Sequence, residues 1–318
     1  MRSVPTLDLR DYPSDKTAFS FAVRKAYEEF GFCCFKGHNL SPETVARAYR
    51  SIHAFFALPE HVKEKYFTSE LSGKRGYVPF KTETAKGHGY PDLKEFWHTG
   101  RENVPEKYTS FMAPNIWPAE VPDFKEAVLA LYKELDDLGQ DILKPMSLAV
   151  GQSEDYLGSI TQNGNSILRA LHYPPLFSKG EELPPENEPC IRAQAHEDAG
   201  LITILISARG AGLQLLNRQN EWLPVSCEEG AVIVNVGDMM ERLTNHVFQS
   251  TTHRVVNPEG ELAYQSRYSI PFFMDPQPDF LIKTLDTCIT ESNPNRYPEP
   301  ILENDFLMRR LREIKISK

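Results

Sequence analysis

The chain of 318 residues is poor in cysteine and has no Cys-x-x-Cys. Its five cysteines, Cys33, Cys34, Cys190, Cys227 and Cys288, are odd in number, which argues against a disulfide-dense secreted scaffold. That is the pattern of reduced thiols in a cytosolic protein. Long hydrophobic runs are also missing. The N-terminus carries no apolar signal core, and no stretch approaches the ~20 apolar residues of a membrane span, so a cytoplasmic protein is expected. Positive charge is scarce: 35 Lys and Arg face 44 Asp and Glu, a net charge of −9. Phosphate contacts need a basic surface, so nucleic acid is excluded as the main partner, and a monomer acting on a small molecule is expected. Several chemistries fail on single residues. Gly200 stands where His-Glu-x-x-His needs its second His, Leu215 where a dinucleotide loop needs its third glycine, and no Gly-x-Ser-x-Gly occurs.

What is present suffices for one large domain with an ample core. Four stretches divide it: 1–120 with helices and short strands, 121–165 with a long helix, 166–276 rich in strands, and the extension 277–318. Ala18 to Phe30 reads as a helix. A second is capped by Ser41, has Pro42 in its first turn, and carries Val45, Tyr49, Ile52 and Phe56 on one face. A third bears Phe124, Val128, Leu131, Leu135, Leu138 and Ile142 as a core-facing stripe, with Pro145 expected to kink or end it. From Ser166 onward, short β-rich runs alternate with turn residues, the texture of an antiparallel barrel or jelly roll. Glu181 to Pro189 is acidic and proline-rich and reads as an exposed loop; Glu303 to Ile314 reads as a C-terminal helix. The fold class is therefore α+β, a jelly-roll core with flanking helices.

His196-Glu197-Asp198 opens an apolar, β-branched run, His253-Arg254-Val255 lies in another, and Arg267-Tyr268-Ser269 in a third. About one His-x-Asp/Glu is expected by chance in this composition, so the surroundings carry the information. Residues i and i+2 of a strand share a face, which lets His196 and Asp198 share one metal. Two imidazoles and one carboxylate cover one face of an octahedral Fe(II) and leave the other open for O₂ and substrate. His246 competes with His253 as third ligand; His253 lies in the strand-like segment, His246 in a loop. Glu197 should point away. Arg267 and Ser269 also share a face, a guanidinium fork beside a hydroxyl that suits a carboxylate.

These segments, with Asn235-Val236-Gly237-Asp238, Leu171-His172-Tyr173-Pro174-Pro175, Val4-Pro5-Thr6-Leu7-Asp8-Leu9 and Gly31-Phe32-Cys33-Cys34-Phe35-Lys36-Gly37-His38, resemble the Fe(II)/2-oxoglutarate-dependent oxygenases, in their isopenicillin-N-synthase-like or plant-type branch. The resemblance covers almost the whole chain. It implies a double-stranded β-helix core, iron held by His196, Asp198 and His253, and 2-oxoglutarate held by Arg267 and Ser269 with help from Tyr173. It further implies O₂-driven decarboxylation to succinate and CO₂ coupled to oxidation, by default hydroxylation, of a small metabolite, as in secondary metabolism. Leu171 departs from plant relatives, which commonly have Asn there.

Two other readings remain open at this point: an iron oxidase that does without 2-oxoglutarate, as in isopenicillin N synthase, and a catalytically silent binding protein on the same scaffold. Candidates for the substrate wall are Tyr77, Phe80, Trp97 and Phe273, with Phe96 beside Trp97. The alternative is that these aromatics are simply core. Arg169 and Arg192 are possible pocket cations.

Overall fold

The computed structural model describes residues 3–68, 73–177, 190–206, 212–313 and 315–316, so the proline-rich stretch 181–189 and most of the turn 210–212 lie outside the described residues. The chain opens with β1 (Thr6–Asp8), α1 (Lys16–Glu29) and β2 (Phe32–Lys36). Next come α2 (Pro42–Phe56) and the short α3 (Glu60–Lys63). Ser41 caps α2, its hydroxyl accepting the Thr44 N–H at 3.3 Å. Then follow β3 (Gly76–Val78), β4 (Glu83–Thr84) and β5 (Glu95–Gly100), the 26-residue α4 (Phe124–Ala149), and α5 (Tyr156–Thr161). Of the kink or end expected at Pro145, the end is excluded, since α4 runs on past it. The helix continues for another turn, held by burial of Leu135, Leu138, Ile142, Leu143 and Met146, each worth about 1.5–3 kcal/mol against one lost hydrogen bond.

The strand-rich half supplies β6 (Ile167–Tyr173), β7 (Ala193–His196), β8 (Ile202–Ile206), β9 (Leu213–Leu216), β10 (Trp222–Pro224) and β11 (Val232–Val236). After α6 (Asp238–Leu243) come β12 (His253–Val255), β13 (Arg267–Met274), β14 (Leu281–Ile282), β15 (Ile301–Leu302), α7 (Glu303–Glu313) and β16 (Lys315–Ile316). An eight-stranded sheet runs β1-β2-β11-β8-β13-β6-β5-β3, and a four-stranded sheet runs β10-β9-β12-β7. The two form the jelly roll. Strands from the first hundred residues thus complete the sheet built by the later half.

Alternation sorts the large sheet's side chains. Cys33, Phe35, Trp97, Leu168, Ala170, Ile204, Val234, Ile270, Phe272 and Met274 pack with α1, α2 and α4 in the main core. Their neighbours in sequence turn to the other face. There Phe32, Cys34 and Ile233 meet Leu215 of the small sheet, and Val78, Phe96, Leu171 and Tyr173 form a separate cluster. Both faces are covered, so the strands read as near-continuous apolar runs. Cys34 and Cys227 are joined by a disulfide with Cα atoms 6.0 Å apart, which corrects the expectation of five reduced thiols. Cys33, Cys190 and Cys288 are free. The cause is tertiary: the loop after β10 folds over β2, 193 positions away in sequence.

Glu303 starts α7 almost fully buried, with Oε1 unpartnered. Burial first, and the nearby Asp275 carboxylate second, push its pKa well above the ordinary 4.5. A carboxyl raised in the folded state stabilises at acid pH, and that contribution is lost as pH rises through neutral into the alkaline range. Thermal stability of the wild type should therefore fall with rising pH, by up to about 1.4 kcal/mol per pH unit for the one proton. Glu303→Gln should flatten that slope, measured as melting temperature across a pH series. An unchanged slope would show that Glu303 does not titrate in this range.

Candidate active site

β12 pairs antiparallel with β7 so that His253 lies directly opposite His196, and the two rings sit 4.4 Å apart. β7 ends at His196. Asp198 therefore belongs to the turn that crosses to β8 rather than to the strand, yet its carboxylate still meets both imidazoles. His196 Nε2 is 3.9 Å from Asp198 Oδ1, and His253 Nε2 is 3.9 Å from Oδ2. One ligand atom from each residue lies within 4.8 Å of the others, and among the described residues this is the one such group.

Local hydrogen bonds orient every member. His196 Nδ1 donates to Gln194 O at 2.7 Å and His253 Nδ1 to Thr251 O at 3.0 Å, which leaves both Nε2 lone pairs facing inward. Asp198 Oδ2 accepts from Thr203 Oγ1 at 2.6 Å and Asn235 Nδ2 at 2.8 Å. The turn after Asn235 needs its glycine, because a Cβ on Gly237 would lie 2.7 Å from Asp198 O. Burial, then the neighbouring His253, pushes the His196 pKa down to about 4, so the imidazole is neutral and free to ligate at pH 7. Burial alone would raise Asp198; the two histidines, Asn235 and Thr203 outweigh it and keep the carboxylate ionised.

A second feature lies at the start of β13. Arg267 pairs with Tyr173 across the β13–β6 ladder and Ser269 with Leu171, all four on the inner face. Arg267 is 6% exposed, stands 5.0 Å from the Tyr173 ring, and leaves Nε and Nη1 without partners. Arg192, 3% exposed, lies 5.7 Å from the same ring with its own Nε unpartnered. Burial and then Arg267 push the Arg192 pKa down to about 10. Two buried guanidiniums with no carboxylate between them among the described residues form a site for an anion.

A cavity of about 300 Å³ opens on His196 and Asp198 of the triad and is lined by Ile167, Arg169, Phe273 and Phe111 and by Leu307, Met308 and Leu311 of α7. Arg169 is held between the Phe96 and Phe273 rings, at 4.4 and 5.2 Å, and donates to His98 Nε2 at 2.6 Å. Of the proposed wall, Phe273 lines this cavity. Tyr77 and Trp97 do not, and this is a correction. Both point to the helix side of the sheet, where Trp97 packs on Phe55 and Phe124 and the Tyr77 hydroxyl binds Glu95. Alternation puts Val78 and Phe96 on the inner face in their place. Phe80, with Tyr77, lines a different cleft beside Lys63 and Glu95.

His246 is remote from the triad, its Nε2 bonded to the Tyr297 hydroxyl at 2.6 Å. Glu197 is exposed, accepts from Thr252 Oγ1 at 2.6 Å, and lines the cavity together with Thr252. Sequence reasoning missed the roof supplied by α7 and the hydrogen bonds of Thr203 and Asn235. The Asn235 turn was visible as a motif, whereas nothing in α7 marks it as part of a site.

Residues 164–276 match the 2OG-Fe(II) oxygenase superfamily, and residues 4–120 match the family described as non-haem dioxygenase in morphine synthesis N-terminal. The 2-oxoglutarate-Fe(II) type oxidoreductase hxnY of Emericella nidulans is 33% identical over 90% of this chain and 81% of its own length. The chain belongs to the 2OG-Fe(II) oxygenase superfamily. A crystal structure of a 2OG-Fe(II) oxygenase family protein from Caulobacter crescentus superposes with a TM-score of 0.88 at 42% identity, covering 98% of this chain and 99% of that one. A full-length Neurospora crassa protein, solved in complex with alpha-KG and thymine, superposes with a TM-score of 0.84 at 27% identity, covering 97% and 96%. The enzyme is thus an Fe(II)- and 2-oxoglutarate-dependent dioxygenase with a jelly-roll core and a small-molecule substrate. Among the described residues, no helix is long and apolar enough to cross a membrane.

Proposed function

We propose that His196, Asp198 and His253 hold the iron, that Arg267 and Ser269, with Tyr173 and Arg192, hold the distal carboxylate of 2-oxoglutarate, and that the cavity positions a small organic metabolite for hydroxylation. The convergence of two inward-facing Nε2 atoms on one ionised carboxylate carries this reading. Iron bound there supplies the O₂-dependent oxidation, in which 2-oxoglutarate leaves as succinate and CO₂ while substrate C–H becomes C–OH. The protein's own part is positioning. Thr203 and Asn235 hold one Asp198 oxygen, and the Nδ1 bonds fix both ring planes. Arg267, already desolvated, gains its missing charge partner without further reorganisation. Leu307, Met308 and Leu311 keep water from the face where substrate sits.

The test is succinate and CO₂ release from 2-oxoglutarate by anaerobically reconstituted protein after O₂ is admitted. Iron-dependent succinate, formed slowly without substrate and faster with it, is expected. An oxidase using O₂ with iron but forming no succinate would overturn the reading.

A further inference from the structure

We infer that Arg75 anchors a carboxylate on the substrate, so that the enzyme's substrates are small organic monoacids with an apolar body. The inference rests on the iron and 2-oxoglutarate reading above and narrows its substrate class. Arg75 lines the triad cavity and is only 2% exposed. Its guanidinium lies against the backbone of Gly100, where a Cβ would fall 2.1 Å from Nη2, so only glycine makes room for it. Nη1 donates to Lys74 O at 2.8 Å and Nη2 to Asn165 Oδ1 at 3.3 Å, while Nε has no partner. Three other cations of this cavity have carboxylates: Lys94 has Glu83 and Asp92, Arg169 has Glu83, and Arg310 has Asp238 and Glu313; the half-buried Lys74 instead reaches the Met308 sulfur at 3.9 Å. Among the described residues Arg75 has none, and burial depresses its pKa to about 10. A buried cation held by neutral acceptors alone is costly unless an anion arrives.

Nε–H lacks an acceptor and Nη2 has one hydrogen beyond its bond to Asn165, and two N–H groups of one guanidinium are what a planar carboxylate can take up. That anion is not 2-oxoglutarate. Gly100 pairs with Ile167, which pairs with Phe273, whereas Tyr173 pairs with Arg267 at the other end of the ladder. Six residues of strand separate the two ends by roughly 20 Å, beyond the span of one five-carbon diacid. The triad's cavity extends to the Arg75 end, and the aromatic and aliphatic wall of Ile167, Phe273, Phe111 and Met308 suits an apolar body between acid group and iron.

The test uses the full chain loaded with Zn(II) and 2-oxoglutarate, which binds without turning over, and a matched set of probes. These are straight-chain acids from butanoate to dodecanoate and 3-phenylpropionate, their primary amides, and the corresponding alkyl and phenyl phosphates, titrated by calorimetry. At least one acid should bind about tenfold or more tighter than its amide, and Arg75→Gln should erase that preference. Arg75→Lys should restore part of it. The affinity for 2-oxoglutarate should be unchanged in both variants, and ligand-free Arg75→Gln should melt no lower than wild type, since it loses an uncompensated charge. Equal binding of acids and amides, tighter binding of phosphates, no binding of any acid, or an acid preference that survives Arg75→Gln would each overturn the proposal. A lower ligand-free melting temperature would assign Arg75 to the frame and overturn it too. Succinate formation by the iron-loaded wild type is scored separately: its absence would defeat the oxygenase reading even if acids bind through Arg75.

Discussion

Replacing His196, Asp198 or His253 with alanine is expected to cut iron-dependent succinate formation more than about 100-fold. Even outer partners of a metal site are commonly worth 10–100-fold, and these three are the proposed donors themselves. Each loss also reaches its neighbours. Without Asp198, the Thr203 hydroxyl and the Asn235 amide lose their shared acceptor, and no carboxylate offsets the metal's charge between the two imidazoles. Without His253, the His196 ring loses the neighbour it faces at 4.4 Å. His246→Ala is the control: that ring stacks on Tyr297, and its removal should leave bound iron near wild-type stoichiometry. Iron content after anaerobic loading and desalting, with succinate yield on the same samples, checks both. Loss of iron in His246→Ala with retention in His253→Ala would reverse the ligand assignment.

Arg267→Gln should raise the 2-oxoglutarate concentration needed for half-maximal turnover by more than about thirtyfold. Truncating one side of a buried charge pair costs about 2–5 kcal/mol, because the other charge stays desolvated. Here the burial has already occurred: Arg267 is 6% exposed with two nitrogens unpartnered before any anion binds. Arg267→Lys should fall between, since an ammonium keeps the charge but cannot present two parallel N–H groups. Arg192 sits on the same Tyr173 ring, so Arg192→Gln should weaken 2-oxoglutarate in the same direction and by less. Titration of 2-oxoglutarate against succinate production checks the series. An unchanged requirement in Arg267→Gln would move the clamp elsewhere and favour an enzyme in which this arginine grips the substrate.

Local sequence by itself determined a good deal. Ser41-Pro42 marked the start of α2, the stripe from Phe124 to Ile142 marked α4, and β-branched runs with turn residues marked the jelly roll. The two-residue spacing put Arg267 and Ser269 on one face of β13; it also singled out His196 and Asp198, although the turn after β7, not a shared strand face, brings those two together. In each case the signal sits within a few positions of the chain, where backbone geometry alone fixes which side chains meet.

Tertiary structure decided the rest, and it decided by face and by long-range pairing. Tyr77 and Trp97 could not be told from Val78 and Phe96 in sequence, because the large sheet is covered on both sides and every position along β3 and β5 is apolar or buried. Only the packing of α2 and α4 shows which face is core. The Cys34–Cys227 bridge, the α7 roof and the continuation of α4 through Pro145 depend likewise on residues far apart in sequence. The unpaired state of Arg75 and Arg267 is the clearest instance. An arginine in a sequence is normally a solvated charge, and what makes these two informative is that, among the described residues, the fold brings no carboxylate to them.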